Sequence, residues 1–353
     1  MMNAVNSSPA GRVTATFACS AIGGLLFELM GMPAGWLSGG MLAVAIASLA
    51  GLRSEVPMPA RWLIFLVLGI FAGSGATPQT LDQVATWPAS FAILMVGVAA
   101  VTAGSYLLLS RVFRWDGPTA LFASLPGALS FIMAAVEGMN VDIRKVALAQ
   151  SIRVLILVEI FPLIVLLAGD PALLTGRAAT EGMTLSDMLL LVASGALGGI
   201  IAHKLHLPGG LLLGGLLVSA GLFLSGTVSG AFPQWLVVPG MIGLGATVGS
   251  RVQAADRALL PAIALASVAA VCLALALSAL AAWLASLWLG ITFTQTFLAF
   301  APGALEAVTI LAFAMQVDPA YVAAHNVARF FALVLVVPIL VRHVNGLEKR
   351  SDG

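Results

Sequence analysis

The sequence predicts an all-α membrane protein made of two inverted-topology repeats. Each repeat has five transmembrane helices and one re-entrant or broken helix at a Pro-Gly-Ala-Leu motif. Composition is the first observation behind this: of 353 residues 60% are hydrophobic and 9% charged, with mean hydropathy +1.07. A soluble domain carries about 25% charged residues, so this chain cannot cover a water-facing surface. Secondly, apolar runs of roughly 17–22 residues, long enough to span hydrocarbon, recur along nearly its whole length. Thirdly, the chain matches itself in order and without gaps.

The first matching block is "IGGLLFELMGMPAGWLSGGML" at 22–42 against "LGGIIAHKLHLPGGLLLGGLL" at 197–217. It pairs Gly23 with Gly198, Gly24 with Gly199, Pro33 with Pro208, Gly35 with Gly210, Gly39 with Gly214 and Gly40 with Gly215. Next, Gly69, Ala72 and Gly75 meet Gly243, Ala246 and Gly249 at an offset of 174. At an offset of 176, "PGAL" at 126–129 meets "PGAL" at 302–305; Asp142 then meets Asp318, Gln150 meets Asn326 and Arg153 meets Arg329. Chance repetition of glycine and leucine does not give three blocks in order at nearly constant offset. Arg12 followed by the run 13–30 has the form of a signal peptide, but its partner in the second copy marks it as a transmembrane segment. The expected organisation is a cytoplasmic N-terminus (1–12), a membrane repeat (13–168), a polar linker (169–186), a second repeat (187–342) and a cytoplasmic tail (343–353).

Six apolar runs follow one another in each copy: 13–30, 35–51, 61–77, 91–110, 119–136 and 146–168, then 187–203, 208–226, 233–249, 259–289, 292–315 and 321–341. Small residues dominate the first two runs of each copy and suit close helix approach in lipid. Trp36, Trp62, Trp87, Trp115 and Trp235 lie near run ends, where interfacial aromatics belong. Whether the PGAL runs cross is arbitrated by positive charge. If all twelve runs crossed, nine Lys and Arg residues would be cytoplasmic and five outside. If each PGAL run re-enters, Arg144, Lys145, Lys204, Arg251 and Arg257 move inside and only Arg177 stays out. The second arrangement obeys the positive-inside rule. Five crossings per copy is an odd number, so the second copy is inserted upside down. Pro126, Gly127, Pro302 and Gly303 then supply the breaks a re-entrant hairpin needs, tolerable only where bare backbone is buried in protein or lines a wet cavity.

Arg153 and Arg329 lie inside the sixth runs, eleven residues after Asp142 and Asp318. The aspartates read as helix caps. Eleven residues give roughly 16 Å of rise, which places each arginine near the midplane of a bilayer about 30 Å thick. Gln150 and Asn326, three residues earlier, share the arginine face. An intramembrane arginine marks a pathway or a substrate counter-charge, unless it only ties broken-helix carbonyls together. Glu306 follows the second PGAL and suits sodium or proton coupling; its alternative is a salt bridge to Arg329 or Arg153. Glu159, deep in its run, is expected to pair with an arginine, and His325 to serve packing.

Enzyme chemistry finds no support: no HExxH, Walker sequence or nucleophile elbow occurs, and four histidines give no metal-ligand spacing. No metal or other cofactor is expected beyond the coupling ion. The net charge of +1 gives no footprint for nucleic acid. Cys19 and Cys272 lie in apolar runs and predict no disulfide.

The duplicated unit, with PGAL followed by an aspartate and then Gln-Ser-x-Arg at 150–153 or Asn-Val-x-Arg at 326–329, resembles the AbrB family of membrane proteins. Members carry labels such as ammonia monooxygenase or regulator of gene expression, and neither chemistry is visible in these residues. The family pattern P-G-G-L-x-E is departed from at Ala128 and Ala304, and at Phe131 and Ala307, with Glu306 one position early. The layout also looks like sodium-coupled carboxylate symporters in architecture. The expectation is a secondary transporter of a small organic anion in a bacterial inner membrane, with lipid as its surroundings and a homodimer as one assembly open to it. The alternative is a membrane-embedded regulator that binds a small molecule without moving it.

Overall fold

The computed structural model describes residues 8–32, 34–76, 87–127, 132–133, 135–136, 139–168, 182–207, 209–252, 260–315 and 317–351. Most of the linker and residues 128–131 of the first PGAL segment lie outside the described residues. Thirteen α-helices are described: α1 Pro9–Leu29, α2 Gly35–Leu49, α3 Met58–Gly73, α4 Trp87–Leu107, α5 Gly117–Ser124, α6 Ile143–Ala168, α7 Leu185–Lys204, α8 Gly210–Leu224, α9 Gln234–Gly249, α10 Leu260–Leu289, α11 Phe293–Phe300, α12 Leu305–Ala314 and α13 Pro319–Ser351. A π turn, Leu108–Val112, closes α4.

Two compact units form, and neither follows the boundaries of the sequence copies. The first comprises 1–85, 157–257 and 305–323, the second 86–156, 258–304 and 324–353. Each therefore draws helices from both copies.

In the first unit, glycine decides the packing. A Cβ at Gly39 would fall on the Gly23 carbonyl, and one at Gly214 on the Gly198 carbonyl. Bare backbones thus touch between α1 and α2 and between α7 and α8, where dispersion contacts hold helices together without help from water. A reciprocal exchange follows. Gly69 and Gly73 of α3 lie against the Leu212 and Leu216 carbonyls of α8, and Gly245 and Gly249 of α9 against those of Leu37 and Met41 in α2. The chain enters α2 through left-handed Ala34 (φ 54) and α8 through left-handed Gly209 (φ 61). Gly31 (φ 70) and His206 (φ 56) are left-handed three residues earlier in each loop.

Length separates the helices by environment. Five described helical segments are long and apolar enough to cross a membrane: Pro9–Leu29, Trp87–Val112, Leu185–Lys204, Ile263–Leu289 and Pro319–Arg342. Their outward leucines stay bare, including Leu29 (75% exposed), Leu197 (61%) and Leu335 (71%). That much contiguous apolar surface is lipid-facing. By contrast, α2, α3, α8 and α9 have 15 or 16 residues, about 22–24 Å of rise. Leu37, Met41, Leu68, Leu212 and Leu244 are almost wholly covered there. Among the described residues, five helices of spanning length are thus accompanied by shorter apolar helices. A helix shielded by protein need not reach across the whole hydrocarbon layer.

Candidate functional site at two helix breaks

In the second unit the helices stop at the PGAL motifs. The last helical residue of α5 is Ser124, and its C-cap Leu125 is extended (ψ 124), followed by Pro126 and left-handed Gly127 (φ 115). The last of α11 is Phe300; Ala301 is extended (ψ 140), and helix resumes only at Leu305. Proline removes a donor and an extended residue breaks the ladder, so the carbonyls at these ends need other partners.

The two arginines supply them. Arg153 Nη2 donates to the Leu125 carbonyl at 3.0 Å. Arg329 Nη1 donates to the Ala301 carbonyl at 2.6 Å, and its Nη2 donates to Gly303 O at 3.0 Å and to Asn326 Oδ1. Both first acceptors lie 28 residues before their arginine. Gln150 Nε2 donates to Phe122 O at 3.1 Å, also 28 residues back. Each guanidinium therefore sits on the C-terminal, partially negative end of a short helix. The helix ends turned toward the arginines are C-terminal, because the break follows the end of α5 and of α11.

Register brings the arginines there. Asp142 accepts from the Lys145 amide at 3.1 Å, and its own amide donates to Thr119 Oγ1 at 2.9 Å, fixing the start of α6 against α5. Asp318 accepts from the amides of Ala320 and Tyr321, at 2.9 and 3.3 Å. From these caps three helical turns reach the arginines, both buried, at 6% and 3% exposure.

The two sites differ in how far the guanidinium is satisfied. Arg329 is clamped by three acceptors, and its Nε lies 3.8 Å from where a Gly127 Cβ would be, so it also stands against the first break. Among the described residues Arg153 makes one hydrogen bond, and its Nε is buried with no partner. Neither arginine forms an ion pair among the described residues; the salt bridge found in this unit joins Lys145 to Asp142.

Glu306 belongs to the first unit. Its Oε1 lies 3.7 Å from where a Cβ on Gly209 would be, at the start of α8. The expected arginine partner of Glu159 is not formed: its Oε1 is buried without a hydrogen bond among the described residues. His325 packs among Trp87, Phe91 and Phe300, and Nε2 meets Ser90 Oγ at 2.8 Å. No group of three metal-ligating side chains occurs among the described residues.

Sequence reasoning missed a cavity of about 20 Å³ beside Arg153, lined also by Ser105, Ser124 and Ser267. Serines inside apolar runs carried no distinguishing signal, since most such hydroxyls bond the carbonyl one turn back. Ser124 does so, to Ala120 O at 2.6 Å, but buried Ser267 Oγ has no partner among the described residues.

Long lipid-facing helices, shorter buried apolar helices, broken helices and buried arginines define a multi-pass α-helical membrane protein. The chain belongs to the AbrB family: a family profile described as "Transition state regulatory protein AbrB" matches residues 36–345. It is 28% identical to "Putative regulator AbrB" of Escherichia coli (strain K12), over 90% of this chain and 92% of the relative. It is 26% identical to "Uncharacterized protein YhjN" of Bacillus subtilis (strain 168), over 94% of each.

Proposed function

We propose that the protein is a secondary transporter moving a small organic anion, coupled to protons or sodium, through a midplane site between inverted repeats. The observation that carries this reading is the pair of buried arginines at two helix breaks, without a carboxylate partner among the described residues. A buried cation is costly unless paired, and these two call for an anion. Broken helices at matching positions, with binding where the repeats meet, are the transporter pattern. Inversion draws support from charge placement, and duplication from the reciprocal packing of α3 on α8 and α9 on α2 and the common 28-residue spacing between arginine and carbonyl. No reaction step is part of this reading.

Coupling falls to a carboxyl group. Glu306, directly after the second PGAL, is the first candidate, and Glu159, buried with an oxygen that has no partner among the described residues, is a second. Replacing Glu306 by Gln is expected to leave binding in place and remove the dependence of uptake on the driving ion.

The names of the family and of the Escherichia coli relative favour the second reading, a membrane-embedded regulator that binds without transport. Purified protein in proteoliposomes separates the two. Uptake of radiolabelled organic acids, with and without sodium and proton gradients, is expected to show gradient-dependent accumulation of at least one acid. Saturable binding with no accumulation under any gradient would leave the regulator.

A further inference from the structure

We propose that the corner where α7 turns into α8 binds the phosphodiester headgroup of an anionic glycerophospholipid, through His203, Lys204 and His206 beside Trp62. The inference goes beyond transport and does not rest on it. Packing within the first unit brings these residues to one level. A Cβ at Gly195 would meet Ile70 and one at Gly199 would meet Leu66, so α3 and α7 run antiparallel. One turn further along, the Trp62 and His203 rings lie 5.6 Å apart at 56°. The start of α3 and the end of α7 therefore share a level, and His203, Lys204, His206 and Trp62 are all exposed there. Leu197 and Ile201 stand bare at successive turns of α7 and Lys204 follows at the next, so an acyl-facing stripe ends in a cation. A tryptophan with basic side chains at the end of a lipid-facing helix belongs at the headgroup level.

The two copies build the same turn with opposite chemistry. In the first, the amides of Gly31 and Met32 donate to the Glu28 and Phe27 carbonyls; in the second, those of His206 and Leu207 donate to the His203 and Ala202 carbonyls. This Schellman pattern puts its left-handed residue at Gly31 (φ 70) and at His206 (φ 56). Glycine takes that conformation freely, whereas the Cβ of a histidine crowds the backbone. His206 thus sits there at a cost, as strained residues at binding sites do. Glu28 and Leu29 match His203 and Lys204, so one backbone carries an acid at the first corner and three N–H donors at the second.

The helix dipole accounts for His203 and Lys204 in the last turn of α7. It does not account for His206, beyond the helix end, nor for Arg61, which brings a further positive charge to the N-terminal end of α3, where a cation is disfavoured. Among the described residues none of the four forms an ion pair, Glu306 at Gly209 included. A lipid phosphodiester supplies the missing negative charge and its acceptor oxygens, and its acyl chains cover the bare stripe. A soluble anion would leave the stripe and Trp62 without a role.

The test uses the full chain in nonionic detergent micelles at constant ionic strength. Dioleoyl phosphatidylglycerol, dioleoyl phosphatidylcholine and inorganic phosphate are titrated separately. Bound lipid is counted by native mass spectrometry, and unfolding is followed by tryptophan fluorescence. Phosphatidylglycerol is expected to stay bound and raise Tm saturably, with an apparent affinity at least tenfold above that of phosphatidylcholine; phosphate alone should give no shift. Combining His203→Glu, Lys204→Leu and His206→Gly, which installs the residues of the first corner, should abolish the preference. Should that variant fail to fold, Lys204→Gln and His206→Gly should each weaken phosphatidylglycerol binding threefold or more, and His206→Gly should raise Tm in lipid-free micelles. Arg144→Gln, which removes one charge from the second unit, should leave the affinity unchanged. Equal binding of the two lipids, an equal saturable shift with phosphate alone, a preference that survives the corner variants, or one lost as fully in Arg144→Gln overturns the site.

Discussion

Arg329 illustrates how one side chain holds backbone where a helix cannot. Three acceptors converge on it, two of them carbonyls freed by the break at 301–303. Charge-assisted bonds of this kind contribute about 1.5–3 kcal/mol each. Arg329→Gln is therefore expected to lose the fold, seen as aggregation on size-exclusion chromatography. Arg153→Gln, giving up one such bond, should stay monodisperse and lose anion binding. Ala34 is a smaller case. A left-handed non-glycine residue costs about 1–2 kcal/mol, and Ala34 adopts φ 54 where its counterpart in the second copy is Gly209. Ala34→Gly should raise Tm. Gly209→Ala should lower it, since its Cβ would meet Leu305 Cδ2 at 2.8 Å.

Among the elements, the short helices α2 and α8 hold the first unit by bare backbone contact. Each meets its neighbours through glycines whose Cβ would overlap a carbonyl. Gly214→Val should separate α7 from α8 and abolish membrane accumulation, whereas valine at Gly221, with open space around it, should be tolerated to within about 0.5 kcal/mol. Caps matter less. Asp318→Ala removes an acceptor of two amides and should cost about 1 kcal/mol, measurable as a modest fall in Tm with anion affinity unchanged.

For the whole molecule, the decisive quantity is sidedness. With Cys19 and Cys272 replaced, single cysteines at Arg144 and Arg251 are expected to react with impermeant maleimide only from the cytoplasmic face. Labelling of either from outside would refute the inverted arrangement and restore twelve full crossings. The two compact units give the experiment its interest, because Arg144 and Arg251 belong to different units as well as to different copies.

Composition alone determined that this is a multi-pass helical membrane protein, because a chain with 9% charged residues has no other solvent to face. Self-matching singled out the PGAL breaks, the capping aspartates and the two arginines, since proline, glycine and intramembrane charge are too costly to be incidental. Sequence did not separate the roles of Arg153 and Arg329: the same PGAL precedes each, Gln150 stands where Asn326 does, and only the fold shows, among the described residues, three acceptors on one and one on the other. Nor could it find the serine cavity, assembled from runs far apart in the chain whose periodicity records no contact between helices. Which helices pack together was likewise decided by tertiary structure. Glycine announces that a backbone will come close, but not whose, and here the partners of α3 and α9 come from the opposite copy.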